Sequence, residues 1–240
     1  YCESHYGEDY LGVPNFPRAM SQLCLALMKD RRRSKALDLG CAVGRATFEL
    51  AREFDEVTGL DSSARFIRIG VELRDKGCIR YTRVEEGELV SYRETKLSDL
   101  DLEGTQHRVS FQQADACNLK SLYAGYDLVL ATNLIDRLNS PRKFLATIHE
   151  RINSGGLLVI ASPYTWDEEF TEKEEWLGGI RVAGDPFTTL DGLHECLGPY
   201  FIRLGEPQEI PFVLRETKHK FQHSLSEVTV WERRGVDSSS

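Results

Sequence analysis

Ala36-Leu37-Asp38-Leu39-Gly40-Cys41-Ala42-Val43-Gly44-Arg45-Ala46 is an apolar run that breaks at one glycine and resumes at another. The run before Gly40 is too short for a helix and reads as a buried strand, while apolar residues from Ala42 to Phe54 recur at helical spacing. Val57-Thr58-Gly59-Leu60-Asp61 follows as a second short strand, so the unit is strand, helix, strand. In a doubly wound sheet the ligand crevice lies at the carboxyl end of the strand where the order reverses, and glycine there lets backbone approach a ligand closely. The spacing of Gly40 and Gly44 makes neither Gly-x-x-x-x-Gly-Lys-Ser/Thr nor Gly-x-Gly-x-x-Gly. A nucleotide-derived ligand fits this loop, and phosphate binding is not indicated.

The alternation continues in both directions. A helix is expected over Phe16–Asp30, after the loop Gly12–Asn15, and another over Ala64–Lys76. Strands are expected at Val109–Gln113, Tyr126–Thr132 and Leu157–Ala161, with a helix over Pro141–Ile152 between the last two. Pro211–Thr217 and Glu227–Trp231 read as a terminal antiparallel pair. This predicts an α/β fold, a doubly wound, mostly parallel sheet with that pair at its end. Cys78–His107 reads as an inserted β-hairpin turning at Glu85–Glu88, and Trp166–Pro186 as a lid after the fifth strand. Without repeats or linkers, residues 1–234 are expected to form one domain with 78–107 as an insertion, and 235–240 a polar tail.

Composition narrows the partners. The 240 residues carry 30 Lys plus Arg against 38 Asp plus Glu, a net charge of −8, which repels a phosphate backbone and favours a small-molecule substrate over nucleic acid. With 41% hydrophobic and 28% charged residues the chain is an ordinary globular one. The longest apolar runs, such as Gly155–Ser162, fall far short of the roughly 20 residues a membrane span needs. The start at Tyr1-Cys2-Glu3, without Met or a secretory leader, leads us to expect a domain from a longer protein. The six cysteines contain no Cys-x-x-Cys pair, which fits a reducing, cytoplasmic setting, and the six histidines show no ligand spacing, so no metal is expected.

The glycine string resembles motif I of class I S-adenosylmethionine-dependent methyltransferases, with Asp38 as its acidic residue. Asp61 matches the carboxylate that this family uses on the ribose hydroxyls. Gln112-Gln113-Ala114-Asp115-Ala116 resembles the acidic motif beside adenine, and Tyr126–Asn133 the fourth-strand motif. The resemblance implies S-adenosyl-L-methionine as cofactor and S-adenosylhomocysteine as product. It implies a cofactor site of Asp38, Gly40, Cys41, Ala42, Gly44, Asp61, Ser62, Asp115, Ala116 and Asn133. The cofactor carries no phosphate and needs hydroxyl acceptors, which Asp61 and Asp115 supply. Cys41 reads as a packing residue, because transfer from a sulfonium needs no enzyme thiol. Tyr6, Tyr10 and Phe16 are expected to close over the cofactor and Arg18 to meet its methionine carboxylate; a helix-surface arginine is the plainer reading.

A sharper likeness runs from Tyr1 to about Arg233. His5-Tyr6-Gly7-Glu8-Asp9-Tyr10, Gly12–Pro17, Asp115–Leu119, Asn133–Leu138, Ser162–Trp166, Arg215-Glu216-Thr217 and Lys220–His223 resemble the C-terminal methyltransferase domain of ovothiol biosynthesis enzymes. In that family an upstream iron-dependent sulfoxide synthase joins cysteine to histidine, and the C-terminal domain methylates the π ring nitrogen of 5-thiohistidine to give ovothiol A. The sulfur of that substrate competes with the nitrogen, so its site should hold the thiolate away from the methyl group. Asn133 and Asp136 are candidates to orient the ring or its amino group, with Arg137 beside them. Tyr164 and Trp166 are candidates for an aromatic wall, Arg215 for the substrate carboxylate or thiolate, and His223 for the ring proton. A local Asp136–Arg137 ion pair, core packing of the aromatic pair, a strand-end arginine and a solvated histidine are the plainer readings. The Asn/Asp-Pro-Pro-Tyr motif of many N-methyltransferases is absent. A methyltransferase for another small amine or imidazole, a non-catalytic S-adenosylmethionine-binding module and a nicotinamide-dependent oxidoreductase are the competing functions.

Overall fold

Lys35–Leu39 (β1) is buried at every position but its first, as befits a strand covered on both faces. A computed structural model describes residues 1–235; of the expected polar tail, residues 236–240 lie outside the described residues. The helices are α1 (Cys2–Tyr6), α2 (Phe16–Leu27), α3 (Arg45–Leu50), α4 (Ala64–Lys76), α5 (Pro141–Thr147) and α6 (Thr189–Leu197). After β1 the strands are β2 (Glu56–Asp61), β3 (Cys78–Glu86), β4 (Leu89–Lys96), β5 (Val109–Gln113), β6 (Tyr126–Thr132) and β7 (Ile152–Ser162). β8 (Ile180–Val182), β9 (Asp185–Phe187), β10 (Phe201–Arg215) and β11 (Phe221–Arg233) complete the set.

Seven strands form the main sheet in the order β10-β11-β7-β6-β1-β2-β5. β5, β2, β1, β6 and β7 are parallel, and β11 is antiparallel to both β7 and β10. β10 therefore runs with the five, and β11 is the reversed strand. The order turns at β1, which lies between β2 and β6, so the crevice opens at the carboxyl end of β1. One face of the sheet packs on Met20 of α2, Phe48 of α3 and Leu73 of α4. The other packs on Phe144 of α5 and Leu193 of α6, with Trp231 contributed by β11 itself. The expected doubly wound α/β fold is the observed one.

Several boundaries differ from the sequence reading. The helix expected over Ala42–Phe54 shortens to α3, because Ala42 (φ 46°) and Gly44 (φ 90°) are left-handed and cannot belong to a right-handed helix. The Pro141–Ile152 helix is α5 followed by a tight 3₁₀ turn over Ile148–Arg151, after which β7 begins. β10 and β11 are 15 and 13 residues long and project past the end of β7, since β11 pairs with β7 only over Glu227–Glu232. The insertion is the β3–β4 hairpin, closed at Gly87 and followed by two short 3₁₀ turns, Ser98–Leu100 and Glu103–Arg108. The segment expected to form a lid, Trp166–Pro186, carries the small β8–β9 hairpin. No helix among the described residues is long and apolar enough to cross a membrane.

Candidate functional site

The turn after β1 is held from two sides. The N–H groups of Gly40 and Cys41 both donate to the Leu60 carbonyl, at 2.8 and 3.0 Å. Ala42 N donates to Asp61 Oδ2 at 2.9 Å, and Ser63 N to Asp61 Oδ1 at 2.8 Å. Each Asp61 oxygen thus accepts one backbone N–H and has capacity left for another donor. Gly44 leaves no room for a side chain, because a Cβ there would stand 2.6 Å from the Phe111 ring. The N-terminal segment closes the turn, with Tyr6 donating to the Val43 carbonyl at 2.9 Å. Arg45, buried and paired with Glu49 at 2.7 Å, lies 5.8 Å from the Tyr6 ring centre. Burial holds the adjacent His5 far below the ordinary imidazole range, at about 3.

Asp38 is 1% exposed on β1. Its Oδ2 accepts from Thr47 Oγ1 at 2.7 Å, while Oδ1 is buried without a hydrogen-bond partner among the described residues. Burial raises this carboxyl to about 7, against the pull of the Thr47 bond and with the help of nearby Asp61. Asp115 caps its own turn, accepting from Cys117 N at 2.8 Å and Asn118 Nδ2 at 2.6 Å, and it is exposed beyond β5. Ser62 is exposed and Ala116 half-buried, on the turns that follow β2 and β5.

A second network lies where β6, β7 and β11 meet. Asn133 (φ 49°) donates its N–H to the Ala161 carbonyl at 2.7 Å, and its Oδ1 accepts from Ser226 Oγ at 2.7 Å. Asp136 is 1% exposed; its oxygens accept from Ser162 Oγ at 3.0 Å and Thr165 N at 3.1 Å. Tyr164 (φ 53°) donates its hydroxyl to Glu227 Oε1 at 2.7 Å. Burial, and then that carboxylate, push the Tyr164 phenol well above its ordinary value, so it stays a neutral donor. Ala42, Asn133 and Tyr164 are left-handed non-glycine residues, and they follow the adjacent strands β1, β6 and β7 at one edge. Such conformations cost about 1 kcal/mol or more each and collect at functional sites.

Beyond Tyr164 a cleft of about 470 Å³ opens between the end of β7 and the β8–β9 hairpin. Tyr164, Trp166, Arg181, Phe187 and Thr189 are among its lining residues. Trp166 is anchored by its Nε1–H bond to Thr189 Oγ1 at 2.9 Å and stacks on Trp176 with ring centres 6.2 Å apart.

The remaining candidates lie elsewhere. Arg137 is exposed and covers the Phe170 ring at 4.4 Å, and it forms no ion pair with Asp136. Arg215 donates to the Val84 carbonyl at 2.6 Å and to Glu85, with its side chain 5% exposed, so its charge is already matched. His223 is exposed on β11 opposite Val213, in the part of the hairpin that projects past β7. Tyr10 donates to Glu3 and its ring lies 5.3 Å from Phe221, while Phe16 lies 5.1 Å from Phe212. Arg18 pairs with Asp9 at 2.7 Å in a partly exposed ion pair. Ser162, Ser226 and Glu227 hold the second network together and were not among the site residues that the sequence suggested. Ser226 and Glu227 are chain neighbours on opposite faces of β11, and only the strand register brings them to Asn133 and Tyr164. Among the described residues no group of three or more His, Cys, Asp or Glu is arranged to hold a metal ion.

The methyltransferase-domain family model matches residues 14–197. The chain belongs to that family. As a methyltransferase it uses S-adenosylmethionine, and the paired acceptors of Asp61 and the orphan Asp38 oxygen beside the glycine turn suit a phosphate-free, hydroxyl-rich and cationic group. Trans-aconitate 2-methyltransferase of Deinococcus radiodurans is 25% identical over 169 residues, 66% of this chain and 52% of that protein. The Escherichia coli (strain K12) protein YmfD, of uncharacterised function, is 25% identical over 147 residues, 59% of this chain and 56% of that one. The methyltransferase thus spans about half the length of these curated relatives. In fold it is similar to the N-methyltransferase NodS from Bradyrhizobium japonicum WM9, solved with S-adenosylhomocysteine. The TM-score is 0.55 at 13% identity, covering 94% of this chain and 90% of NodS. A structure from a study of the conversion of a disulfide bond into a thioacetal group during echinomycin biosynthesis gives a TM-score of 0.59 at 17% identity. It covers 95% of this chain and 85% of that one.

Proposed function

We propose that this methyltransferase transfers the methyl group of S-adenosylmethionine to the π ring nitrogen of 5-thiohistidine, giving ovothiol A. The observation that carries the reading is the aromatic cleft of Tyr164 and Trp166, which lies on the Tyr164–Glu227 side of the site and suits a flat imidazole. The sequence resemblance set out above supplies the identity of the acceptor. In this reading Asp38, Gly40, Cys41, Ala42, Gly44, Asp61, Ser62, Asp115 and Ala116 surround the cofactor. Residues 1–234 act as one domain with 78–107 as its insertion, in the cytoplasm, alongside an upstream iron-dependent sulfoxide synthase domain.

When bound, S-adenosylmethionine supplies an electrophilic methyl group on a sulfonium. The chain's own part is to bind and orient. The ring nitrogen needs a free lone pair in line with the bond that breaks, and positioning alone accounts for much of the acceleration in such transfers. Asn133, fixed by Ser226 and by its own backbone bond to Ala161, stands between the glycine turn and the cleft and is our candidate to orient the acceptor. Asp136 acts through others, since both its oxygens hold the exit of β7 in place and thereby fix Tyr164.

The test is incubation with S-adenosylmethionine and 5-thiohistidine, with histidine in parallel, followed by mass spectrometry and NMR assignment of the methylated atom. Methylation at the π nitrogen of the thiolated substrate, and none of histidine, is expected. Absence of product while S-adenosylhomocysteine binds in calorimetry would overturn this choice of acceptor.

A further inference from the structure

The cleft beside Tyr164 carries one formal charge. Arg181 is the charged residue that lines it and no carboxylate does, in a protein whose net charge is −8. Three other arginines are matched by carboxylates, Arg45 by Glu49, Arg83 by Glu3 and Glu85, Arg215 by Glu85, while Arg137 beyond β6 covers the Phe170 ring and does not line the cleft. Arg181 forms no ion pair among the described residues. Its one protein hydrogen bond runs from a guanidinium N–H to the Gly184 carbonyl at 2.8 Å, in the turn of its own hairpin. A guanidinium has five N–H donors in a planar fork, so most of this one is free. Asp191, the nearest carboxylate along α6, is occupied by the Thr188 hydroxyl and N–H, which cap the helix.

The walls are rigid and flat. Trp166 is pinned by Thr189 and by its stack on Trp176, and Tyr164 by Glu227, so neither ring must be ordered when a ligand arrives. A volume of about 470 Å³ lies within the ordinary range for a small-molecule site. Aromatic walls with one unmatched guanidinium complement a planar ring that bears an anionic group, and disfavour a cationic one.

We infer that this cleft binds the methyl acceptor, that its ligand class is a planar heteroaromatic anion, and that Arg181 determines specificity by holding the anionic group. This rests on the proposed reaction, in which the acceptor is an imidazole with a competing thiolate and a carboxylate. An anion fixed at Arg181 turns one edge of the ring toward the hairpin and leaves the opposite edge for methylation. Regiochemistry then follows from where the charge sits. Arg215, the arginine that the sequence suggested for this task, already carries its carboxylate partner.

The experiment is calorimetric titration of the protein, saturated with S-adenosylhomocysteine, by three probes: imidazole-4-carboxylate, uncharged 4-methylimidazole, and acetate. The expected result is that the planar anion binds about tenfold or more tighter than 4-methylimidazole, the equivalent of one charge-assisted hydrogen bond, and that acetate binds weakest. Arg181→Met should lose that factor for the planar anion alone, and Arg181→Lys should recover part of it. Unchanged S-adenosylhomocysteine affinity in both variants establishes that the fold and donor site are intact. Equal affinity of the planar anion for wild type and Arg181→Met, or no binding to wild type, overturns the inference. Arg181-dependent binding with no turnover of 5-thiohistidine would refute that substrate and leave the inference standing. Turnover of 5-thiohistidine with unchanged KM in Arg181→Met would do the reverse.

Discussion

Replacing Asp38 by Asn removes an ionisable group from the most buried part of the site while keeping its shape and its acceptor for the Thr47 hydroxyl. In the folded protein this carboxyl stands at about 7, against 3.8 for an ordinary aspartate, because burial disfavours the charge. The native state therefore keeps a proton that the unfolded chain has released. As the pH rises from about 4 to about 7, the unfolded state binds fewer protons than the native one and stability falls. At about 1.4 kcal/mol per pH unit, the full loss is about 4 kcal/mol, of which about 3 kcal/mol falls between pH 5 and pH 8. Asp38→Asn has no such term, so its stability relative to wild type should grow by about 3 kcal/mol from pH 5 to pH 8. Urea unfolding of both proteins at pH 5, 6, 7 and 8 measures this directly, because the midpoint times the slope gives each free energy. Parallel pH profiles, with a difference constant across that range, would refute the burial argument.

Gly44→Ala forces a Cβ into a left-handed residue and against Phe111, so a loss of about 2–4 kcal/mol is expected in thermal melts, with weaker binding of S-adenosylhomocysteine. At Asn133, Ala and Gly both remove the Ser226 bond, but only Ala is strained at φ 49°. Asn133→Ala should therefore melt as the less stable of the two by about 1 kcal/mol, with methyl transfer reduced in both. Arg215→Ala removes the side-chain ties between the projecting β10–β11 hairpin and the β3–β4 hairpin and leaves the Lys218 N–H bond to the Glu85 carbonyl, so limited proteolysis within 216–220 should speed up; an unchanged cleavage rate would mean the arginine is not holding that tip.

The sequence by itself determined the architecture and the turn at which we propose the cofactor binds. Fully buried parallel strands are short apolar runs, and a turn that brings backbone to a ligand requires glycine, so β1, Gly40, Gly44 and the acidic residue ending β2 are all visible locally. β5, β6 and α4 match their expected bounds for the same reason: alternation and capping are properties of neighbouring residues. Charge pairing is not. Arg215 and Arg181 are indistinguishable as letters, and only the docking of two hairpins 130 residues apart gives Arg215 a carboxylate and leaves Arg181 without one. Ser226 and Glu227 likewise acquire meaning from the register of β11 on β7, which sets one toward Asn133 and the other toward Tyr164. The cleft we propose for the acceptor is decided at this level, because its shape and charge come from contacts between segments far apart in the chain, and each such contact is fixed by packing of the whole sheet.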